Sequence, residues 1–415
     1  MTVFSKNGII SKNVFRIFLL NGKHASKTSK TVRQNCTDGG KNTDRHRANG
    51  SKSAWENAVV GAAKLTEIYL RRGIFYEENH CYHAGCLLSL AACGAKEADY
   101  KLGMGVELST ASSKENNAQV DATVAAVVLD ANGKIVMCRI DVAQNKMDVT
   151  GGAVDTAKTF ETKMELGSRY GMEGKVDNNG DGVMLEWDAQ AKAFEEYVVG
   201  KTAADVKAIK TQEAGGHLIA VDEALLKAGC SMQITDFISA VAKACEDKAA
   251  VAFKAGEGFK LGVAAKSTAA ESKAASAEGN GSVNMYSDFG AAVVGADGKI
   301  LAALNDAVQP KIAIDTAGAI VEASYKDTKR MLGSEYGMEG KVDNDGNGVM
   351  KEWDAQSAAF SAFCAGKTAA EVAGLKTQEA GGHLIAVDTA LLEAGCSMQI
   401  TGMMAAISQA ANYAR

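Results

Sequence analysis

Two apolar, β-branched runs, Val120 to Leu129 and Lys134 to Ala143, flank Asp130-Ala131-Asn132-Gly133. Alternating strands around an Asx/Gly turn predict a β-hairpin. The pattern returns further along the chain, where Ala296-Asp297-Gly298 makes the turn. After the hairpin the apolar period lengthens, and helices are expected over about 155–170 and about 187–199. Trp187, Ala191, Phe194 and Val198 share one face of the second. Gly200 is placed to stop that helix, and Thr202 with Asp205 forms a capping box for the next. Cys230 to Thr235 reads as a strand leading into a closing helix from about Asp236. Antiparallel hairpins with segregated helices argue for an α+β fold.

The second appearance is a repeat. At an offset of 166, residues 209–235 match residues 375–401 at 24 of 27 positions, and residues 167–190 match 333–356 at 20 of 24. Upstream the copies diverge, although Tyr100-Lys101-Leu102-Gly103 still answers Phe259-Lys260-Leu261-Gly262. The expected architecture is two tandem copies of one domain, residues 93–250 and 251–415, each an antiparallel hairpin sheet with helices packed on it. The join, roughly 246–283, is rich in Ala, Lys, Glu, Ser and Gly and reads as a soft boundary.

Each copy carries one segment with the spacing of a metal site. In Asp177-Asn178-Asn179-Gly180-Asp181-Gly182-Val183-Met184-Leu185-Glu186-Trp187-Asp188, acids or amides fall at positions 1, 3 and 5, Gly at 6 and an acid at 12. This resembles the EF-hand calcium loop. Calcium takes six to eight oxygens, and a tightly turned backbone aims alternate side chains at one point. Asp177, Asn179 and Asp181 would ligate through side chains, Val183 through its carbonyl, and Asp188 from the first turn of the exit helix. Gly182 would permit the sharp turn. The second copy places Asp343, Asp345, Asn347, Val349 and Asp354 in register. Positions 3 and 5 are exchanged between the copies, so each loop keeps three carboxylates and one amide, a balance that a plain Asx/Gly turn does not require. Position 12 is Asp rather than the usual bidentate Glu, as in dockerin-type loops, and Leu185 or Lys351 at position 9 cannot ligate. These departures imply a weak, structural extracellular site in the roughly 0.1–1 mM class.

Charge separates the chain differently. Residues 1–92 hold 14 Lys/Arg against 6 Asp/Glu, and the remainder holds 31 against 44. The basic leader has no periodicity or spacing of a nucleic-acid-binding motif, so no nucleic-acid partner is expected. Its end is informative: Leu87-Leu88-Ser89-Leu90-Ala91-Ala92-Cys93-Gly94 resembles the lipobox of bacterial lipoproteins, with Cys93 as the lipidated residue. Tyr76-Glu77-Glu78-Asn79-His80, however, is polar and acidic where a signal peptide needs a basic start and an apolar run. Codons exist for Tyr76 to Gly85 that, read one base later, give Met-Lys-Lys-Ile-Ile-Ala-Ile-Thr-Leu, a well-formed signal. Residues 1–92 are therefore expected to be a non-native or disordered leader that ends in a lipoprotein signal. The body would lie outside the cytoplasm, tethered to the membrane surface by lipid chains contributing about 0.8 kcal/mol per buried methylene. Cys138, Cys230, Cys245, Cys364 and Cys396 show no CxxC or metal-ligand spacing and read as small hydrophobes.

The repeat as a whole resembles the FMN-binding-domain lipoproteins of Gram-positive bacteria. The resemblance is carried by Val128 to Val136, Leu166-Gly167-Ser168-Arg169-Tyr170-Gly171-Met172, Glu186 to Ala191 and Cys230 to Ala240. It implies a flavin-binding, electron-transferring domain, in some members with FMN esterified to the last Thr of a Ser-Gly-Ala-Thr motif. Here that place reads Cys230-Ser231-Met232-Gln233 and Cys396-Ser397-Met398-Gln399, and Gln cannot form the ester. No phosphate-cradling loop supports noncovalent flavin. Nor is a catalytic constellation legible: His217 and His383 lack a nearby acid or thiol, and Glu195-Glu196 reads as a solvated helix face. Two functions follow, a noncatalytic lipid-anchored binding or structural protein ordered by Ca2+, with an unnamed small-molecule or protein ligand, and alternatively an FMN-carrying electron-transfer lipoprotein.

Overall fold

The computed structural model describes residues 97–180, 182–346 and 348–415. The leader with Cys93, and the loop positions Asp181 and Asn347, lie outside the described residues.

The fold is mixed α/β with several small antiparallel sheets. In the first half β1 (Ala98–Ser109), β2 (Asn117–Leu129) and β3 (Ile135–Asp148) precede α1 (Lys163–Leu166) and α2 (Trp187–Tyr197). Then come α3 (Ala203–Lys207), the small hairpin β4 (Thr211–Ala214) and β5 (His217–Ala220), α4 (Glu223–Lys227) and α5 (Thr235–Cys245). The second half opens with β6 (Val251–Ala255), β7 (Lys260–Thr268), β8 (Gly281–Val283), β9 (Tyr286–Val294), β10 (Ile300–Val308), β11 (Lys311–Ile314) and β12 (Ile320–Ser324). It closes with α6 (Lys329–Leu332), α7 (Trp353–Cys364), α8 (Ala369–Ala373), β13 (Thr377–Ala380), β14 (His383–Ala386), α9 (Thr389–Glu393) and α10 (Thr401–Asn412).

The expected hairpin is present. β2 pairs with β3 around the Asp130 turn, where Gly133 takes φ +74° and a bulge separates Leu129 from the regular register. The main sheets run β3-β2-β1-β6 and β10-β9-β7. Period-two alternation divides their residues between two environments. Leu102, Met104, Val124 and Ala126 join Leu261, Val263, Ala291 and Val293 in one buried cluster, so the sheets meet face to face. Ala125, Val127 and Ile140 point the other way, into a cluster with Trp187, Phe194 and Phe237 of the first-half helices. Trp353, Phe360 and Met403 cover the far side of the second sheet.

Closest approach is made by glycine. A Cβ at Gly103 would stand 2.1 Å from the Ala244 carbonyl oxygen, and one at Gly262 would stand 1.9 Å from that of Ala410. Bare backbone at these points lets α5 and α10 lie flat on their strands, and this explains Gly103-x-Gly105 without invoking any ligand.

Three expectations are corrected. The helix expected over 155–170 shrinks to α1 and a 3₁₀ turn at Gly167–Tyr170, because Gly167 takes φ +51° and breaks the α path. The join is not a soft boundary throughout: β6 pairs with β1, Tyr100 opposite Phe253, and β7 is a central element of the interior. Cys230 to Ile234 form no strand. The N–H groups of Ser231 and Met232 both donate to the Gln190 side-chain oxygen at 3.0 Å, and that of Ile234 donates to the Leu218 carbonyl, so no ladder remains for them.

Candidate functional site

The loop from Asp177 folds as a tight hairpin. Val176 faces Val183 in an isolated antiparallel bridge, flanked by bonds from Asp177 N to Gly182 O (3.2 Å) and Met184 N to Lys175 O (2.7 Å). The Val183 carbonyl stays outside this ladder, as the geometry of a non-hydrogen-bonded pair requires. Asp177 Oδ1 accepts the Gly180 N–H at 2.8 Å. In the second half Asp343 Oδ1 accepts the Gly348 N–H at 3.1 Å, and Val342 faces Val349.

Gly182 is not at the left-handed turn. Positive φ falls at Gly180 (+79°) and Gly346 (+74°), position 4 of each loop. At position 6 the first carboxylate folds over the glycine: a Cβ on Gly182 would lie 2.9 Å from Asp177 Oδ2, and one on Gly348 would lie 3.2 Å from Asp343 Oδ2. Each loop is also tied down at position 2, where Asn178 Nδ2 donates to Ser231 O and Asn344 Nδ2 to Ser397 O, both at 2.9 Å.

Glu186 does work that the sequence did not disclose. Its carboxylate caps α2 by accepting Trp187 N (3.0 Å) and reaches back to accept Met172 N (3.1 Å) and Glu173 N (3.3 Å). Glu352 makes the same clasp to Trp353, Met338 and Glu339. Burial opposes their ionisation, yet the converging N–H groups prevail and hold both carboxyls below the ordinary range. The entering segment, too glycine-rich to be a helix, is thus fastened to the exit helix through position 10.

The twelfth positions lie in the first turns of α2 and α7. Asp188 Oδ1 accepts Ala189 N (2.9 Å), and Asp354 Oδ1 accepts Ala355 N (2.8 Å). Asp354 also borders a cavity beside Arg330. Asn179 and Asp345 are half-buried within the loops. Among the described residues no group of three or more His, Cys, Asp and Glu stands ready to hold a metal; Asp181 and Asn347, one ligand position of each loop, are not among them.

Other groups single themselves out. Lys329, buried, sits 4.6, 4.7 and 5.8 Å from the ring centroids of Tyr286, Tyr336 and Trp353. Lys163 lies over Tyr170 and Trp187 at 4.8 and 5.7 Å. Near Lys329, burial lifts the Asp288 carboxyl to about 7 against the pull of the lysine. In the sequence these cages leave the Thr-Lys pair at 162–163 and 328–329 and the ring pairs Tyr170/Tyr336 and Trp187/Trp353, all at the offset of 166. Glu195 is not solvated: it is 1% exposed and pairs with Arg139 (3.4 Å) and Arg415 (2.9 Å). Burial raises the thiols of Cys230, Cys364 and Cys396 to about 12, so they are no nucleophiles at neutral pH. His217 and His383 are exposed at the starts of β5 and β14.

No family model matches the chain, and no solved structure matches it. A stretch of 132 residues is 33% identical to a protein described as chlorophenol reductase from Desulfitobacterium hafniense. The match covers 28% of this chain and 38% of that protein, so the chain spans well under half of its relative's length.

Proposed function

We propose that the chain consists of two tandem copies of one α+β domain, each ordered by a calcium loop. In this reading it serves outside the cytoplasm as a noncatalytic binding or structural lipoprotein, anchored through Cys93. The observation that carries the calcium reading is the pose of the first carboxylate. Asp177 and Asp343 each fold over the glycine at position 6, with one oxygen engaged by loop backbone. Such a pose folds one carboxylate back over its loop in both halves, and carboxylates gathered at close range would repel unless a cation intervened. Asp177, Asn179, Asp181, the Val183 carbonyl and Asp188 would hold one ion. Asp343, Asp345, Asn347, the Val349 carbonyl and Asp354 would hold the other.

Calcium that binds only the folded state stabilises it by RT ln(1 + [L]/Kd), about 2.7 kcal/mol per site at 100 Kd. Native mass spectrometry should count two calcium ions, and the melting temperature should rise with calcium and fall with chelator. The double variant Asp177→Ala, Asp343→Ala should lose that response. No calorimetric heat at millimolar calcium, together with a melting temperature indifferent to calcium and chelator, would sink the reading.

The similarity to a protein named chlorophenol reductase favours one second reading, a redox protein, and the resemblance to FMN-binding-domain lipoproteins makes flavin its expected carrier. Visible flavin absorbance in the purified protein, and flavin mass in its native spectrum, would support it. A colourless protein that takes no FMN on incubation would dismiss it.

A further inference from the structure

A groove of about 500 Å³ runs between α8 and α10. Thr401, Ala405, Ser408 and Asn412 line it as one stripe of α10, and Ala373 borders it from the end of α8. In the first half the matching helices are α3 and α5, and there Lys207 Nζ binds the Glu246 carboxylate at 2.6 and 2.7 Å. At the offset of 166 this pair becomes Ala373 and Asn412, while Lys243 and Asp247 become Gln409 and Tyr413. Four charges have left one patch of the surface, and the ion pair that joins α3 to the end of α5 has given way to an opening.

The polar groups that remain are neutral. Thr401, Ser408, Gln409, Asn412 and Tyr413 supply hydroxyls and amides, and Met404 and the two alanines supply apolar surface. Among the described residues no Lys, Arg, His, Asp or Glu lines the groove, so a charged ligand would lose water there without meeting a counter-charge. Tyr413, 43% exposed, is held in place. Its oxygen accepts Gln409 Nε2 at 2.7 Å, the same Nε2 donates to Glu165 Oε1, and Glu165 pairs with Lys266 at 2.7 Å. That chain fixes the side chain and leaves the tyrosine O–H to donate. Asn412 is exposed, and among the described residues nothing bonds its amide. Ser408 gives its proton to Ala405 O (3.1 Å) and keeps its lone pairs.

We propose that this groove binds a neutral carbohydrate, a short stretch of an uncharged oligosaccharide. A pyranose ring carries an apolar C–H face and a rim of hydroxyls that both donate and accept. The Tyr413 ring and Met404 take the face, and Thr401, Ser408, Asn412 and the Tyr413 hydroxyl take the rim. The volume falls within the range of small-molecule sites, about 300–1,000 Å³. The groove shares no residue with the calcium loops, so neither proposal depends on the other.

The test applies the full chain to an array of immobilised neutral oligosaccharides of glucose, galactose, mannose and N-acetylglucosamine, with sialylated and sulfated glycans beside them. Neutral glycans should retain the protein with or without chelator, and the one that retains it best is then titrated by calorimetry. Tyr413→Ala, at an exposed position, should weaken binding at least about tenfold with an unchanged melting temperature. Ala373→Lys with Asn412→Glu, which rebuilds the first half's ion pair across the groove, should weaken it by a similar factor or more. Retention by no neutral glycan, or by acidic glycans alone, would overturn the carbohydrate. Unaltered affinity in either folded variant would overturn the site.

Discussion

Helix α2 lies against β3 through a buried carboxylate, whereas α7 lies against β10 through two serine hydroxyls. In the first case Glu195 gathers Arg139, the Ile140 N–H and Arg415, whose own carbonyl takes a bond from the Arg139 guanidinium. In the second, the Ser357 and Ser361 hydroxyls donate to the Asn305 carbonyl and Oδ1, and among the described residues no ion pair crosses the contact. Both solutions join the same two kinds of element. A buried charge cluster must be complete, because each member strands the others if removed, and it fills its space. Hydroxyls on an alanine-rich helix demand less and leave room. The first half is therefore braced at this contact, and the second leaves a cleft beside it.

That contrast should appear first in stability. Glu195→Ser imports the second half's residue into the first and leaves two guanidinium groups and a backbone N–H without their acceptor. Removing one partner of a buried pair typically costs about 3–5 kcal/mol, and the lower end applies because Arg415 is 41% exposed. Arg415→Ala, which removes only the exposed partner, should cost about 1 kcal/mol or less. Urea denaturation measures both. Should the two variants cost the same, the cluster is not a brace and the contrast between the halves fails.

The clasps are where the halves ought to agree. Glu186 and Glu352 occupy matching geometry, and removing either carboxylate orphans the N–H groups of the entering segment and the helix start. Charge-assisted bonds of this type contribute about 1.5–3 kcal/mol, so Glu186→Ala and Glu352→Ala should each destabilise by about 2 kcal/mol, with equal losses. Their folded pKa is depressed, so the stability they supply is present above the unfolded glutamate value, about 4.3, and disappears as pH falls through the folded value. Acid unfolding below about pH 4 should be blunted in both variants. Unequal losses would show that one clasp is redundant.

Legibility followed distance along the chain. The hairpin of β2 and β3, the stop at Gly200 and the Thr202 capping box could be read because each is set by neighbours within a few residues. Glu195 was misread because Arg139 and Arg415 stand 56 and 220 residues away. Cys230 to Ile234 looked like a strand because nothing local reveals that Gln190, some forty residues earlier, takes its N–H groups. For the loops, ligand spacing was visible but the fold of the Asp177 carboxylate over the glycine at position 6 was not, because it is a fact of packing rather than of pattern.

The subtlest difference between the halves concerns the first turn of the closing helix, and it offers the smallest but cleanest test. Neither α5 nor α10 has a side-chain N-cap bond, and each starts near a caged lysine. In the first half the helix itself brings a carboxylate, Asp236, whose charge environment includes Lys163, while the facing strand has Thr123. In the second half the strand brings it, Asp288, and the helix has Gly402. The exchange keeps one carboxylate near each lysine and keeps the other side small. Space makes it obligatory: a Cβ at Gly402 would fall 1.9 Å from Asp288 Oδ2. Gly402→Ala should therefore cost about 1–3 kcal/mol through overpacking. Asp288→Thr, the first half's residue, should relieve the clash, and the double variant should recover most of that loss, a coupling of about 1 kcal/mol or more. The pH dependence supplies a second readout. Burial raises the Asp288 pKa to about 7, with Lys329 pulling it down and Asp306 pushing it up, so the folded state binds a proton that the unfolded chain releases near pH 4. Stability from this group is complete below about pH 4 and is lost as pH climbs through 7, with a slope of at most about 1.4 kcal/mol per pH unit. The gap between urea midpoints at pH 5 and pH 7.5 should narrow in Asp288→Thr without closing, because burial also raises the Asp141 carboxyl to about 6. An additive cycle with an unchanged pH profile would mean that Asp288 and Gly402 are independent, and that the exchange between the halves is drift rather than compensation.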